Sequence, residues 1–308
     1  MRLKLLCPAL AAGLLCLTAC DVADWGDLER FTKDFHYSYP LQSGGKLTLE
    51  TFNGSVEISG WDQETVDISG TKYGRSQQEA DELKIEIDHS PMLVSIRVPR
   101  PYDRRNRQGA KFVIKVPRTA VFDRITSSNG AIRTADGAGP ARLKTSNGAI
   151  HVQGLHGDLD AQTSNGSVEL LDVEGDVTAH SSNGHIRAER LKGTLDATTS
   201  NSGVHAEIVR SDRAVHVETS NGAVEIALPN GFNREVRVST NNAGITVRLP
   251  EAINARVVAR TSNSSITTDF DVSMRGEISK HSMDATIGSG GPLIDLNTSN
   301  ASIRLLKM

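Results

Sequence analysis

Residues 145–170 read TSNGAIHVQGLHGDLDAQTSNGSVEL, and the tetrapeptide TSNG at the start of this stretch returns after 18 residues. Thr-Ser-Asn or a near copy occurs nine times in the chain, with successive Asn residues 18, 18, 18, 18, 20, 21, 21 and 37 positions apart. The last interval fits two periods, with a degenerate copy expected near residues 282–284. The aligned residues are Asn129, Asn147, Asn165, Asn183, Asn201, Asn221, Asn242, Asn263 and Asn300. Such a repeat predicts structural units that stack on one another.

One period contains two strand patterns, each followed by a turn pattern. Apolar and polar residues alternate over residues 159–163, which is typical of a half-buried strand. Asn165-Gly166 favours a tight turn with left-handed backbone. A second alternation begins at Val168, and Glu174-Gly175 turns the chain again. The Thr of each triplet has the parity of the apolar residues, so we expect it to point inward.

Two all-β architectures can use these turns. Neighbouring hairpins of a meander need no resemblance to each other, whereas in a β-solenoid each coil stacks about 4.8 Å above an identical one and pairs with it in parallel. The constant phase of the Asn residues favours the solenoid, with the Asn side chains hydrogen-bonded as a structural ladder. We therefore predict a single-stranded parallel β-helix of 18 to 21 residues per coil. Ten coils make a rod of about 43 Å, and the handedness stays open.

Composition agrees with a thin, aliphatic core. Hydrophobic residues make up 38% of the 308 residues, but aromatic residues only 4%. Rings therefore cannot fill a wide interior. The formal charge is −3, from 34 basic and 37 acidic side chains. This balance gives no strong positive field and argues against nucleic acid as a partner.

The amino terminus has the pattern of an exported lipoprotein. A basic start, an apolar run and small residues fill residues 1–19, which we interpret as a signal peptide. Leu17-Thr18-Ala19-Cys20 resembles a lipobox, so Cys20 is the predicted lipidation site and the membrane a predicted partner. The alternative is an unmodified Cys beside an ordinary cleavage site. Residues 20–35 are then the lipid anchor and a tether.

The next segment, residues 36–126, fits the repeat less well. We interpret it as N-terminal coils and a cap, because the first coil of a solenoid has an open edge that must be covered. Ser76 and Glu79 form a capping-box pattern that predicts a short inserted helix ending near Leu83. Strands are expected at residues 84–88, 93–98 and 111–116. The regular solenoid is expected over residues 127–308.

Residues 31–73 carry a specific resemblance. The segments PLQSGG at 40–45 and NGSVEISGWD at 53–62, followed by the Ser-Asn-Gly coils, resemble the bacterial putative-adhesin family of β-helical envelope proteins. The resemblance covers nearly all of residues 31–308. It implies a parallel β-helix and no catalytic motif.

The outward columns of the predicted coils carry polar and charged side chains. The fourth residue after each Asn gives one such column, in which pairable charges are neighbours: Arg133, His151, Glu169, Arg187, His205, Glu225, Thr246, Thr267 and Arg304. The coil histidines do not recur in one column on adjacent coils, so we predict no metal site and no cofactor. Outward Asp160, Asp196 and Asp295 share a phase but are separated by other residues, and no nucleophile motif is present. We therefore predict that the protein is not an enzyme.

One loop is unusually basic. Arg100, Tyr102, Arg104, Arg105 and Arg107 lie between two strand patterns and form a candidate binding loop for anionic groups. The alternative is an ordinary solvated loop.

These observations together favour a non-catalytic, lipid-anchored protein of the bacterial cell envelope that binds or scaffolds. Its expected partners are the membrane and an envelope glycan or protein. Which membrane holds it stays open. Two alternative functions are compatible with the sequence: an accessory sensor of envelope signalling, and a polysaccharide-active β-helix enzyme.

Overall fold

The computed structural model describes residues 31–100, 108–275 and 279–308. The amino-terminal part contains eight strands and one helix, α1, which spans Gln77–Glu82. The strands are Phe31–Pro40 (β1), Lys46–Glu50 (β2), Val56–Trp61 (β3), Thr65–Gly74 (β4), Glu86–Ser90 (β5), Leu93–Arg97 (β6), Gly109–Pro117 (β7) and Val121–Thr126 (β8).

The middle of the chain forms thirteen strands with short connections. They are Ile132–Ala135 (β9), Ala141–Lys144 (β10), Ile150–His156 (β11), Leu159–Thr163 (β12), Val168–Glu174 (β13), Val177–Ser181 (β14), Ile186–Lys192 (β15), Leu195–Thr199 (β16), Val204–Arg210 (β17), Val215–Glu218 (β18), Val224–Ala227 (β19), Val236–Ser239 (β20) and Ile245–Leu249 (β21). Six strands complete the chain: Ala255–Arg260 (β22), Ile266–Thr268 (β23), Val272–Met274 (β24), Ser282–Ile287 (β25), Leu293–Asn297 (β26) and Ile303–Lys307 (β27).

These strands form two sheets. Sheet A has 13 strands in the order β1-β4-β7-β3-β9-β11-β13-β15-β17-β19-β21-β27-β23, and sheet B has 14 in the order β24-β25-β22-β26-β20-β18-β16-β14-β12-β10-β8-β2-β6-β5. In the regular part, each coil supplies one strand to each sheet, and every strand pairs in parallel with the strands one coil before and after. The predicted parallel β-solenoid is confirmed.

The core lies between the two sheets as one continuous cluster. Val168 and Leu170 of sheet A are at most 2% exposed and belong to the same core cluster as inward residues of sheet B such as Ala161. Residues 123–231 contain no aromatic residue, and the largest fully buried side chains, Phe112 and Phe122, precede them. Burial of one Val or Leu contributes about 1.5–3 kcal/mol, so repeated aliphatic positions stabilise a core too thin for rings.

The Thr of each triplet points into this core, as predicted. Thr163 is 3% exposed. Its Oγ1 donates to the Gly148 carbonyl of the preceding coil at 2.9 Å and accepts from the Gly166 amide at 3.2 Å. The buried hydroxyl therefore stabilises its own turn and links it to the turn of the preceding coil.

The expected left-handed backbone at Asn165-Gly166 is wrong. Neither residue is among those with positive φ. Glycine is needed here because of stacking, since a Cβ on Gly166 would lie 1.9 Å from the carbonyl oxygen of Gly148. Left-handed backbone occurs instead at a second column of aligned residues: Asp136, Gly154, Asp172 and Arg190, with φ from 53° to 63°.

At both ends, coil order departs from chain order. The coil formed by β2 and β3 stacks on β8 and β9, while the later coil of β6 and β7 lies outside it. Antiparallel β4, β1 and β5 then cover this end. The predicted helix is present, and the Ser76 side chain accepts from the Glu79 amide. Residues 31–35, expected in the tether, belong to β1.

The carboxyl-terminal end corrects another expectation. Residues 282–284 do not form a degenerate parallel coil, because β25 pairs antiparallel with β22. The coil of β26 and β27 instead inserts between the coil of β20 and β21 and the coil of β22 and β23. The spacing of 37 residues is thus a chain reversal followed by a return.

Candidate binding surface

The outward column of sheet A has the predicted composition. Parallel pairing sets its members side by side in the order Glu57, Arg133, His151, Glu169, Arg187, His205, Glu225, Thr246, Arg304 and Thr267. Glu57 extends the column that sequence analysis began at Arg133. The last two members are exchanged relative to the chain because of the inserted coil.

Charged side chains in this column pair with their neighbours. Arg133 Nη1 lies 3.6 Å from Glu57 Oε1. Glu169 contacts two imidazoles, with Oε2 3.0 Å from His151 Nδ1 and Oε1 3.4 Å from His185 Nε2. Arg187, expected beside Glu169, donates from Nε to Glu189 at 2.6 Å. These side chains are about one third to one half exposed, so each pair contributes at most about 1 kcal/mol.

Further along the column, Glu225 contacts two basic side chains, Arg248 and His205. Arg248 donates to Glu225 Oε1 from both Nε and Nη2, at 2.9 and 2.7 Å. His205 Nδ1 lies 3.4 Å from Oε2 of the same carboxylate. The Arg248 hydrogen bonds hold the pKa of Glu225 below its ordinary value, and the nearby His205 lowers that pKa further.

A second column, two residues further along each strand, completes a groove that sequence analysis missed. Gln153, Leu171 and Glu189 lie beside His151, Glu169 and Arg187, and the groove encloses about 490 Å³. Val113 at its rim is 45% exposed. Its lining has no Phe, Tyr or Trp and consists of Glu57, Ile58, Ser59, Val113, Arg133, Thr134, Ala135, His151, Val152, Gln153, Glu169, Leu170, Leu171, Arg187 and Glu189. The sequence does carry a signal for this second column, because each of its residues follows a member of the first column by two positions.

The Asn side chains form one line along the edge between the sheets. Each Nδ2 donates to the Oδ1 of the Asn one coil nearer the amino-terminal end, at 2.6–2.9 Å. Asn53 is an additional member, and its Oδ1 accepts from Asn129. The spatial order ends Asn242, Asn300, Asn263. We refer to these ten side chains as the Asn ladder.

On sheet B, the outward acidic residues remain separated. Asp160 pairs in register with Thr178, Thr178 with Asp196, and Asp196 with His216. Asp295 follows Arg237. Within the described ranges, no group of three or more His, Cys, Asp or Glu side chains is arranged to hold a metal ion.

The remaining predicted site residues lie largely outside the described part of the chain. These are Cys20 and, in the basic loop, Tyr102, Arg104, Arg105 and Arg107. Arg100 is described, and its Nη2 donates to Ser128 Oγ. Among residues 31–100, 108–275 and 279–308, no helix has the length and apolar character needed to cross a bilayer.

Successive coils stack through parallel strand pairing in two sheets, and this arrangement defines the class of protein as a β-solenoid. A model of the Toastrack DUF4097 family matches residues 45–287, and the chain belongs to that family. The family resemblance predicted from the sequence is confirmed.

Comparison with solved structures finds similar bacterial proteins, two of which follow. A putative cell adhesion protein from Clostridium sporogenes is 13% identical with a TM-score of 0.26, over 90% of this chain and 100% of that chain. A putative adhesin from Bacteroides fragilis is 14% identical with a TM-score of 0.36, over 90% of this chain and 97% of that chain. None of the curated proteins compared with the sequence matches it significantly.

Proposed function

We propose that this protein is a non-catalytic lipoprotein of the bacterial cell envelope whose solenoid acts as an adhesin-like binding scaffold. The observation that carries this proposal is the groove on sheet A, in which two columns of polar side chains lie on consecutive parallel strands. Backbone pairing fixes the spacing of these side chains at about 4.8 Å per coil. An extended polymer can therefore contact several coils at once.

Rigidity favours binding by such a surface. The groove residues lie on strands rather than on loops, so little backbone entropy is lost when a ligand binds. Each charged side chain contributes modestly because it is partly exposed. Several such contacts along one polymer add up through its high effective concentration after the first contact forms.

The chemistry of the groove indicates the class of ligand. Arg133 and Arg187 can donate to carboxylate or phosphate groups, and Glu57, Glu169 and Gln153 can accept from amines, amides or hydroxyls. The lining contains no Phe, Tyr or Trp ring for stacking on a sugar. The proposed ligand is thus a polar envelope polymer with charged substituents.

A matched pair of variants tests this function. The full-length protein in detergent is assayed for retention on charged envelope glycans and on peptidoglycan at low salt. Arg133→Ser with Arg187→Ser should weaken retention several-fold, whereas Arg142→Ser with Arg237→Ser should not, because the latter pair lies in the outward column of sheet B. Equal retention of both variants would contradict binding through the groove.

Anchoring has its own test. If Cys20 carries the lipid, Cys20→Ser should abolish metabolic labelling with a fatty acid and move the protein out of the membrane fraction. Cys16→Ser, within the predicted signal peptide, is the control and should leave both unchanged. Unchanged membrane fractionation of the Cys20→Ser protein would contradict lipid anchoring.

A further inference from the structure

The two ends of the solenoid differ in how much strand edge they leave open. At the carboxyl-terminal end the outermost strands, β23 and β24, have three residues each. At the amino-terminal end the outermost strand of sheet A is β1, with ten residues. Within the described residues, β1 pairs with β4 alone. An edge of this length leaves a row of backbone N–H and C=O groups free to pair with another strand.

The side chains of β1 are accessible along most of its length. Residues 31–34, together with His36, Ser38 and Pro40, are exposed, while Phe35, Tyr37 and Tyr39 are partly covered on the inner face. The ring of Phe35 contacts that of Phe112, with centroids 5.4 Å apart. This contact holds the strand against the body of the protein, so its free edge is presented in a fixed orientation.

The sequence of β1 is complementary to itself in one antiparallel register. With Phe35 opposite Phe35 of a second copy, Asp34 faces His36, and Thr32 faces Ser38. Phe31 faces Tyr39 and Lys33 faces Tyr37, so each face of β1 lies beside the same face of the second copy. Aromatic and hydroxyl pairs directly across a sheet are stabilising.

Neighbouring registers lack this property. Because the two faces of β1 differ, only shifts that keep each side chain on its own face need comparison. A register centred on Asp34 sets two carboxylates opposite each other. One centred on His36 sets two imidazoles opposite each other and brings Pro40, which has no amide donor, opposite Thr32.

We propose that β1 is a dimerisation edge, and that its partner is β1 of a second copy of this chain, paired antiparallel about a two-fold axis at Phe35. Sheet A then continues without interruption from one copy into the other. A self-complementary strand meets the requirement of a two-fold contact, in which the same surface is used by both copies. The contact is small, so the dimer is weak in dilute solution.

A disulfide test reports the register directly. Thr32 and Ser38 of two copies become neighbours, and Cα atoms of directly opposite residues lie about 4.5–5.5 Å apart, within the range that a disulfide spans. Full-length Thr32→Cys, Ser38→Cys protein in membranes should therefore give a covalent dimer on mild oxidation. The two single variants should not, because residue 32 faces residue 38 and never itself. No dimer from the double variant, or equal dimer from the single variants, would overturn the proposal.

A second experiment changes charge at the same two exposed positions. Thr32→Lys with Ser38→Lys sets like charges opposite each other twice, whereas Thr32→Glu with Ser38→Lys sets opposite charges there. The dissociation constants of these two detergent-solubilised dimers, measured by analytical ultracentrifugation, should differ by about tenfold, the Lys-Lys variant being the weaker. Both variants should melt alike when monomeric, since both positions are exposed. Equal dissociation constants would overturn the proposed pairing, and neither test depends on the binding function of the groove.

Discussion

Asn263 donates its side-chain Nδ2 to Oδ1 of Asn300 at 2.7 Å, although Asn300 follows it by 37 residues and precedes it in the stack. Asn300 in turn donates to Asn242, also at 2.7 Å. The last coil of the chain is therefore an internal coil of the solenoid. Its two strands have a parallel neighbour on each side.

This insertion predicts that the carboxyl terminus is essential for stability. Deletion of residues 289–308 removes β26 and β27 and separates the coil of β20 and β21 from the coil of β22 and β23. We expect loss of cooperative folding, or a fall in melting temperature of more than about 10 °C, measured by circular dichroism. Deletion of Met308 alone is the control, since that residue is 57% exposed. Similar melting of the two proteins would show that the last coil is dispensable.

Sequence analysis predicted the apolar alternation and the Asn column, but it missed the order of the coils at both ends and the column of left-handed residues. The parity of Ala161, Thr163 and Val168 identified the core side of the sheets, because alternation has a direct physical cause in the strand. The constant phase of the Asn residues likewise predicted a ladder. Both features depend on nearest neighbours within one coil or between adjacent coils.

The same reasoning could not predict the order of the coils in the stack. The spacing between Asn263 and Asn300 is compatible with a skipped repeat or with a reversal, and no local pattern distinguishes them. The choice depends on which strands cover the ends, and that is a property of the whole stack. The left-handed backbone at Asp136, Asp172 and Arg190 was missed because none of these residues requires a positive φ.

Substitution of Val224 by a charged residue tests whether its side chain points into the core. Val224 is 1% exposed between the sheets, so Val224→Asp buries a carboxylate without a partner. We expect a loss of about 3 kcal/mol or more in the free energy of unfolding, measured by urea denaturation. Val236→Asp, at an equivalent inward position of sheet B, should behave alike, and Thr246→Asp, outward in the next coil, should cost under about 1 kcal/mol. Equal losses at Val224 and Thr246 would contradict the assignment.

Because the hydroxyl of Thr163 is buried and hydrogen-bonded, replacing Thr163 by the isosteric Val should lower the free energy of unfolding. Thr163→Val keeps the shape of the side chain but leaves the Gly148 carbonyl and the Gly166 amide without their partner. We expect a loss of about 1–3 kcal/mol in the free energy of unfolding. Ser164→Ala, at the exposed neighbouring position, should change it by less than about 0.5 kcal/mol. Denaturation curves that coincide for the two variants would show that the Thr hydroxyl contributes nothing.

The position of a residue in the Asn ladder should determine how much its side chain contributes to the stability of the fold. Asn165→Ala removes two side-chain hydrogen bonds, one donated to Asn147 and one accepted from Asn183. Asn263→Ala, at the end of the ladder, removes the one donated to Asn300. At about 1 kcal/mol per bond, the interior variant should lose about twice as much stability as the terminal one. A larger loss for Asn263→Ala would mean that the ladder is not the source of the effect.

The carboxylate of Glu225 predicts how stability depends on pH. Its pKa in the folded protein lies below the ordinary value of 4.5, chiefly because Arg248 donates hydrogen bonds to it. The unfolded chain therefore binds a proton at this site more readily, and the stabilisation is complete above about pH 4.5 and declines as the pH falls through the folded pKa. Glu225→Gln removes this dependence. The melting temperature of the wild type should exceed that of the variant at pH 7, and the difference should shrink at about pH 3.5. Glu218→Gln, a carboxylate 59% exposed on sheet B, controls for the general effect of removing a negative charge. A difference between wild type and Glu225→Gln that stays constant with pH would show that the pairing with Arg248 does not stabilise the fold.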